Sequence, residues 1–230
     1  MLVTAAILVA LRLVLGAQWT SDAGLKLSPA QVLSVVAVFA VVATASAMLL
    51  HHVYQTAGLT VTAPAIQDQA GFLFQALNEE ILFRALLIGL VVLLARPASL
   101  LALVLVSLGL ALVFPAAHFF MYRVTNPMHL ALSLPALATL FCAGLVSNNL
   151  YLAFRHIGFS WALHAGWNVV WLPARFYDAA TNAQLHEPQI FERVLGAPAV
   201  AASAGAMAAL SLVFLLRRSP RPPAERAPSG

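Results

Sequence analysis

Apolar residues fill this chain in long unbroken runs, and polar residues collect in short stretches between them. A transmembrane helix needs about 20 mostly apolar residues. About seven runs are candidates, at roughly residues 1–16, 31–52, 70–95, 99–121, 132–154, 157–172 and 195–216. Ser28-Pro29 is a helix-start signal for the second run, Gly58 and Pro64 lie in the loop after it, and Arg96-Pro97 stops the third. The sixth run is short for a full crossing at about 1.5 Å per residue. Continuous runs, rather than apolar–polar alternation, argue against a β-barrel. The pattern predicts an all-α fold, a polytopic membrane helical bundle of about seven transmembrane helices.

Composition supports this reading. The 230 residues are 62% hydrophobic and 9% charged, against about 25% charged in ordinary soluble domains. The mean hydropathy is +0.90. A net charge of +4 does not indicate a nucleic-acid partner, because Arg217, Arg218, Arg221 and Arg226 supply four of the twelve basic residues from the last fourteen positions. They form a basic tail beside the membrane. Its Pro- and Arg-rich composition predicts disorder. Cys142 is the single cysteine, so no internal disulfide and no cysteine metal cluster can form. Arg12 interrupts the first run and no basic region precedes it, which reads as a retained helix rather than a cleaved signal.

Orientation follows from the basic residues in loops. With seven spans and a cytoplasmic C-terminus, Lys26, Arg96, Arg155 and the four tail arginines lie inside, against Arg123, Arg175 and Arg193 outside. Seven against three favours an N-terminus outside. The chain divides into N-terminal helices at 1–69, a helical core at 70–172, an outer loop and last helix at 173–216, and a cytoplasmic tail at 217–230. The loop at about 173–194 reads as a solvated connector, with a cover over the site or a substrate contact as the alternative. The short, alanine-rich chain suggests a bacterial plasma-membrane protein.

Three runs carry polar groups where lipid would be expected. The third holds Asn78-Glu79-Glu80-Ile81-Leu82-Phe83-Arg84. A charge at mid-membrane costs about 2.5–3.5 kcal/mol on insertion scales, so such groups face a protein interior or a wet cavity. On a helix, Glu80 and Arg84 are i and i+4 and can pair, while Glu79 points about 100° away. Glu80 and Arg84 therefore read as a neutralised structural pair, and Glu79 as the candidate for chemistry. A buried polar knot of all three is the competing reading. The fourth run offers Phe114 and His118 on one face, with Pro115 between them as a kink. A lone histidine there also suits interhelical hydrogen bonding. The sixth offers His164 and Asn168, again i and i+4, with Gly166 allowing close approach. His and Asn on one face supply the two donors an oxyanion hole requires. Ser147, Asn148 and Asn149 read as interhelical hydrogen bonding. His51, His52, His129, His156 and His186 fall at helix ends or in loops.

The order Glu79-Glu80-x-x-x-Arg84, Phe114-x-x-x-His118, His164-x-x-x-Asn168 resembles the three motifs of the CAAX protease and bacteriocin-processing (CPBP, or Abi) family of intramembrane proteases. The resemblance covers about residues 70–172. It implies a helical membrane endopeptidase acting on a membrane-anchored protein or peptide, such as a C-terminal sorting signal or a leader. It further implies that Glu79 with His118 activates water, that His164 with Asn168 stabilises the oxyanion, and that Glu80 and Arg84, with Phe114, support the site. The preferred reading uses no cofactor. Zinc on Glu79, His118 and His164 stays open, although no His-Glu-x-x-His spacing is present. A proton-coupled transporter and a non-enzymatic immunity-type membrane partner are the alternatives. No internal repeat supports the transporter.

Overall fold

The computed structural model describes residues 8–9, 11–13, 16, 19–22, 24–62, 66–95, 97, 99–125, 132–172, 174–185 and 187–218. The first predicted run, His129, His186 and the tail beyond Arg218 lie mostly or wholly outside these residues. A single helical turn at Trp19–Asp22 precedes α1 (Pro29–Thr56). Strand β1 (Leu59–Thr62) and helix α2 (Ile66–Glu80) follow. From Glu80 the chain continues as a π-helical stretch, Ile81–Ile88, and then as α3 (Gly89–Ala95). The remaining elements are α4 (Leu100–Ala111), α5 (Val113–Thr125), α6 (Leu134–Phe154), α7 (Gly158–Trp171), β2 (Arg175–Asp178), α8 (Glu187–Leu195) and α9 (Pro198–Arg218).

Serines set three of the helix starts. Ser28 and Gln31 form a reciprocal capping box, the Ser28 N–H donating to Gln31 Oε1 at 2.7 Å, with Pro29 in the first turn. Ser99 and Ser133 cap α4 and α6 through the N–H groups of Ala102 and Ala136. The fourth apolar run folds as two helices with a turn at Leu112. Pro115 accounts for the break, since it offers no N–H to the Ala111 carbonyl and its ring crowds that group.

Helix α6 is central, packing on α9, α4, α7, α5 and α8. Its polar residues join helices. Asn149 accepts from the Ser107 hydroxyl at 2.6 Å and donates to Ser211 at 3.0 Å, and Asn148 donates to the Ser107 carbonyl at 3.0 Å. These bonds tie α4, α6 and α9 together away from water, as interhelical polar groups in membranes do. Helix α7 packs chiefly on α1 and α2. Its entry is a sharp turn in which Arg155 adopts a left-handed conformation. The Ile157 N–H there donates to the Gly24 carbonyl at 3.0 Å. Gly24 itself has φ of +68°, and a Cβ on it would lie 2.7 Å from the Arg155 carbonyl oxygen.

Large apolar side chains cover the outside. Leu33, Val41 and Met48 of α1, Leu101 and Leu105 of α4, and Leu210 of α9 are exposed. Such a surface suits lipid rather than water. Among the described residues, four stretches are long and apolar enough to cross a membrane: Pro29–Thr56, Leu100–Met121, Leu134–Phe154 and Pro198–Arg217. The fold is an all-α membrane helical bundle. The expected seven are not all met by this measure: the first run lies mostly outside the described residues, α7 has only 14 residues, and the run from α2 to α3 is interrupted by charge.

The loop after α7 is more than a solvated connector. Strand β2 pairs antiparallel with β1, Leu59 opposite Asp178 and Thr62 opposite Arg175. Helix α8 turns Phe191, Val194 and Leu195 into the same core as Phe176, Leu50 and Trp171. The Ser133 N–H donates to Glu192 Oε2 at 2.9 Å, and Arg193 pairs with Asp178 at 3.0 Å. That guanidinium, with the N–H groups of Thr181 and Ala180, holds the Asp178 carboxyl below the usual range.

Candidate active site

The site forms where the end of α2, the π-helical stretch, α5 and α7 meet. Helix α7 is fixed there by two contacts that flank His164. Trp161 stacks on Phe39 with centroids 6.0 Å apart and donates its indole N–H to the Leu73 carbonyl at 3.2 Å. Gly166 lets α1 approach closely, since a Cβ on it would lie 3.0 Å from Val42 and 3.1 Å from the Phe39 carbonyl. The tryptophan thus ties α7 to α2, and the glycine seats it on α1.

Glu80 and Arg84 are fully buried and pair at 3.1 Å, as the i, i+4 spacing predicts. They do so although the backbone becomes π-helical after Glu80, with the Gly89 N–H reaching back five residues to the Arg84 carbonyl. Single π turns within helices concentrate at functional sites. The Arg84 guanidinium also lies 5.1 Å from the centre of the Phe114 ring and 5.7 Å from that of Phe83.

His164 joins the two carboxylates. Its Nδ1 lies 2.9 Å from Glu80 Oε1 and its Nε2 lies 3.5 Å from Glu79 Oε2. An ionised carboxylate only accepts, so Nδ1 carries the hydrogen and Nε2 is the atom turned to Glu79. Glu79 is 20% and His164 13% exposed, so both border open space, whereas Glu80 is sealed. Glu79 is not free of local partners, as its helical position alone suggests. Gln75, one turn earlier, donates to Glu79 Oε1 at 3.2 Å and leaves Oε2 without a hydrogen bond.

His118 sits across the Phe114 ring. Its Nδ1 donates to the Phe114 carbonyl at 2.9 Å, which leaves Nε2 with a free lone pair. The Phe114 ring is 4.5 Å from that of His118 and 6.0 Å from that of His164. Asn168 is buried one turn beyond His164 and makes no hydrogen bond with the carboxylate cluster. The structure thus joins Glu79, Glu80, Arg84 and His164 by polar contact and Phe114 and His118 by ring contact. Among the described residues, no three His, Cys, Asp or Glu side chains gather as a metal site requires, Glu79, His118 and His164 included.

Phe114 is held from behind by Gly144 of α6. A Cβ on Gly144 would lie 3.1 Å from the Phe114 Cβ and 3.2 Å from the Ala111 carbonyl. Gly144→Ala is therefore expected to displace the carbonyl that orients His118. The expected loss is about 1–3 kcal/mol of stability, measured by thermal unfolding of the variant beside the wild type.

Beyond Asn168 lies an apolar cavity of about 310 Å³, lined by Phe72, Trp171, Leu172, Ala174, Phe176, Ile190 and Phe191. The Phe191 ring lies 4.8 Å from that of Trp171 and 6.5 Å from that of His118. The sequence gives little sign of Phe191, which sits in a polar loop. Gln75 was findable, since it precedes Glu79 by four residues.

The model of the type II CAAX prenyl endopeptidase Rce1-like family matches residues 64–170. No curated protein and no solved structure matches the chain. The matched segment contains the end of α2, the π-helical stretch, α5 and α7, and so every polar side chain of the cluster. Over residues 64–170 this membrane protein is similar to the Rce1-like CAAX prenyl endopeptidase family.

Proposed function

We propose that the protein is an intramembrane endopeptidase that hydrolyses a peptide bond of a membrane-anchored protein or peptide, with Glu79 as general base. One observation supports this above the others. Glu79 and His164 form a partly open acid–imidazole pair resting on a sealed, charge-compensated base of Glu80 and Arg84. Glu79 and His164 are partly exposed while Glu80 and Arg84 are sealed, an asymmetry that a purely structural knot does not require.

In this mechanism Glu79 Oε2 takes a proton from water as the oxygen attacks the scissile carbonyl. His118, whose tautomer is set by the Phe114 carbonyl, accepts a hydrogen bond from the same water through Nε2. The Asn168 side-chain amide and the protonated Nε2 of His164 donate to the oxyanion. As the tetrahedral intermediate collapses, the C–N bond breaks and Glu79 returns its proton to the leaving amine.

The family takes its name from prenylated substrates. For this chain the proposed class is broader, covering sorting-signal and leader removal. The proposed topology has seven crossings, with the N-terminus outside and the basic C-terminus in the cytoplasm of a bacterial plasma membrane.

The mechanism needs no metal. Full-length protein in proteoliposomes is expected to cleave a membrane-anchored substrate at the same rate with and without a zinc chelator. Stoichiometric zinc in active protein, with activity lost on chelation and recovered on re-addition, would overturn the metal-free mechanism.

A further inference from the structure

The cavity beyond Asn168 is not part of the catalytic cluster, yet two of its walls belong to the site's own elements. Trp171 and Leu172 follow Asn168 by three and four residues, so they lie on the same side of the chain one turn on. Phe191 closes the side towards His118. The other walls come from α2, β2, α8 and Ala174, so the loop supplies most of a half-open cleft beside the site.

Among the described residues, two buried polar atoms beside this cleft have no hydrogen-bond partner, Trp171 Nε1 and Tyr54 Oη. Trp171 is itself a lining residue. Tyr54 meets Phe176, another lining residue, edge to face at 5.3 Å. Buried polar groups are nearly always satisfied, so each orphan calls for an explanation, and a ligand or water in the adjoining cleft supplies one. An indole N–H only donates, so the missing partner of Trp171 is an acceptor.

We propose that this cavity is the subsite for one large apolar side chain of the substrate next to the scissile bond, with Trp171 Nε1 donating to a neighbouring substrate carbonyl. This assignment rests on the protease reading of the cluster. Size and polarity choose the occupant. Pockets for small ligands run from about 300 to 1,000 Å³, so about 310 Å³ suits one large side chain rather than an extended lipid chain. A hydrocarbon chain also offers no acceptor and would leave the indole unsatisfied, whereas a peptide always carries carbonyls. Ala174 is the small residue in the wall, and its size sets the depth available.

The test uses the precursor that accumulates in cells carrying Glu79→Ala. Variants of that precursor carry Ala, Leu, Phe or Asp at each of three positions on either side of the cleaved bond. Full-length protein in proteoliposomes then cleaves each. At one position the wild type is expected to favour Leu or Phe over Ala by about 10- to 200-fold in kcat/KM, the range a hydrophobic pocket gives. Ala174→Phe is expected to reverse that preference at the same position and leave the others unchanged. Ile190→Ala, which enlarges the cavity, is expected to shift the preference towards Phe, and it serves if Ala174→Phe fails to fold. Equal loss on all precursors with either folded variant, or an unchanged preference, contradicts the subsite. Absence of any precursor in Glu79→Ala cells would instead contradict the protease reading itself.

Discussion

Glu79→Gln is expected to remove peptide-bond cleavage and leave the fold in place. The substitution keeps size and hydrogen-bonding reach but deletes the group that takes the proton from water. General-base catalysis contributes about 10²- to 10⁴-fold, so kcat falls at least that far. Stability changes little, because Glu79 borders open space and its hydrogen bond is the one from Gln75. Cleavage rate and thermal unfolding measured on one preparation separate the two effects. Loss of both together would indicate a structural carboxylate instead.

Arg84→Leu is expected to have the opposite profile, with stability lost first. Arg84 and Glu80 are 1% and 0% exposed and pair at 3.1 Å. Removing one member of a buried pair leaves an uncompensated charge and costs about 3–5 kcal/mol. The guanidinium also leaves the faces of Phe83 and Phe114. The double variant Glu80→Leu/Arg84→Leu is expected to recover part of the loss, since no lone charge stays buried, although His164 then loses its Nδ1 partner. Equilibrium unfolding in detergent micelles or nanodiscs measures all three proteins. A loss below about 1 kcal/mol for Arg84→Leu would show that water reaches the pair.

Local geometry was readable from the sequence, and long-range geometry was not. The Glu80–Arg84 pair and the single helix face shared by Phe114 and His118 follow from i, i+4 spacing, which needs only the helix itself. The cross-helix bonds of Asn148 and Asn149 follow from their positions in an apolar run. The bridge from His164 to both carboxylates is different, because it depends on how α7 docks on α2 across more than eighty residues of chain. That docking is set by Trp161 and Gly166, neither of which announces its partner. The packing of the loop was hidden for another reason. Strands β1 and β2 have four residues each and pair across more than a hundred residues, too short for alternation to show. Helix α8 has an apolar face of only Phe191, Val194 and Leu195 in a charged stretch. The span count rested on hydropathy. That measure is least informative where charged residues interrupt a run, as between α2 and α3, or where the helix is short, as in α7.

The central claim is that Glu79 is the working group of a membrane protease. The most direct measurement compares the termini of all membrane and surface proteins in cells making the wild-type chain and in cells making Glu79→Ala at the same membrane level. A defined set of uncleaved precursors in the Glu79→Ala cells, lost again when the wild-type chain is restored, is the predicted result. Identical termini in the two cell lines would contradict it.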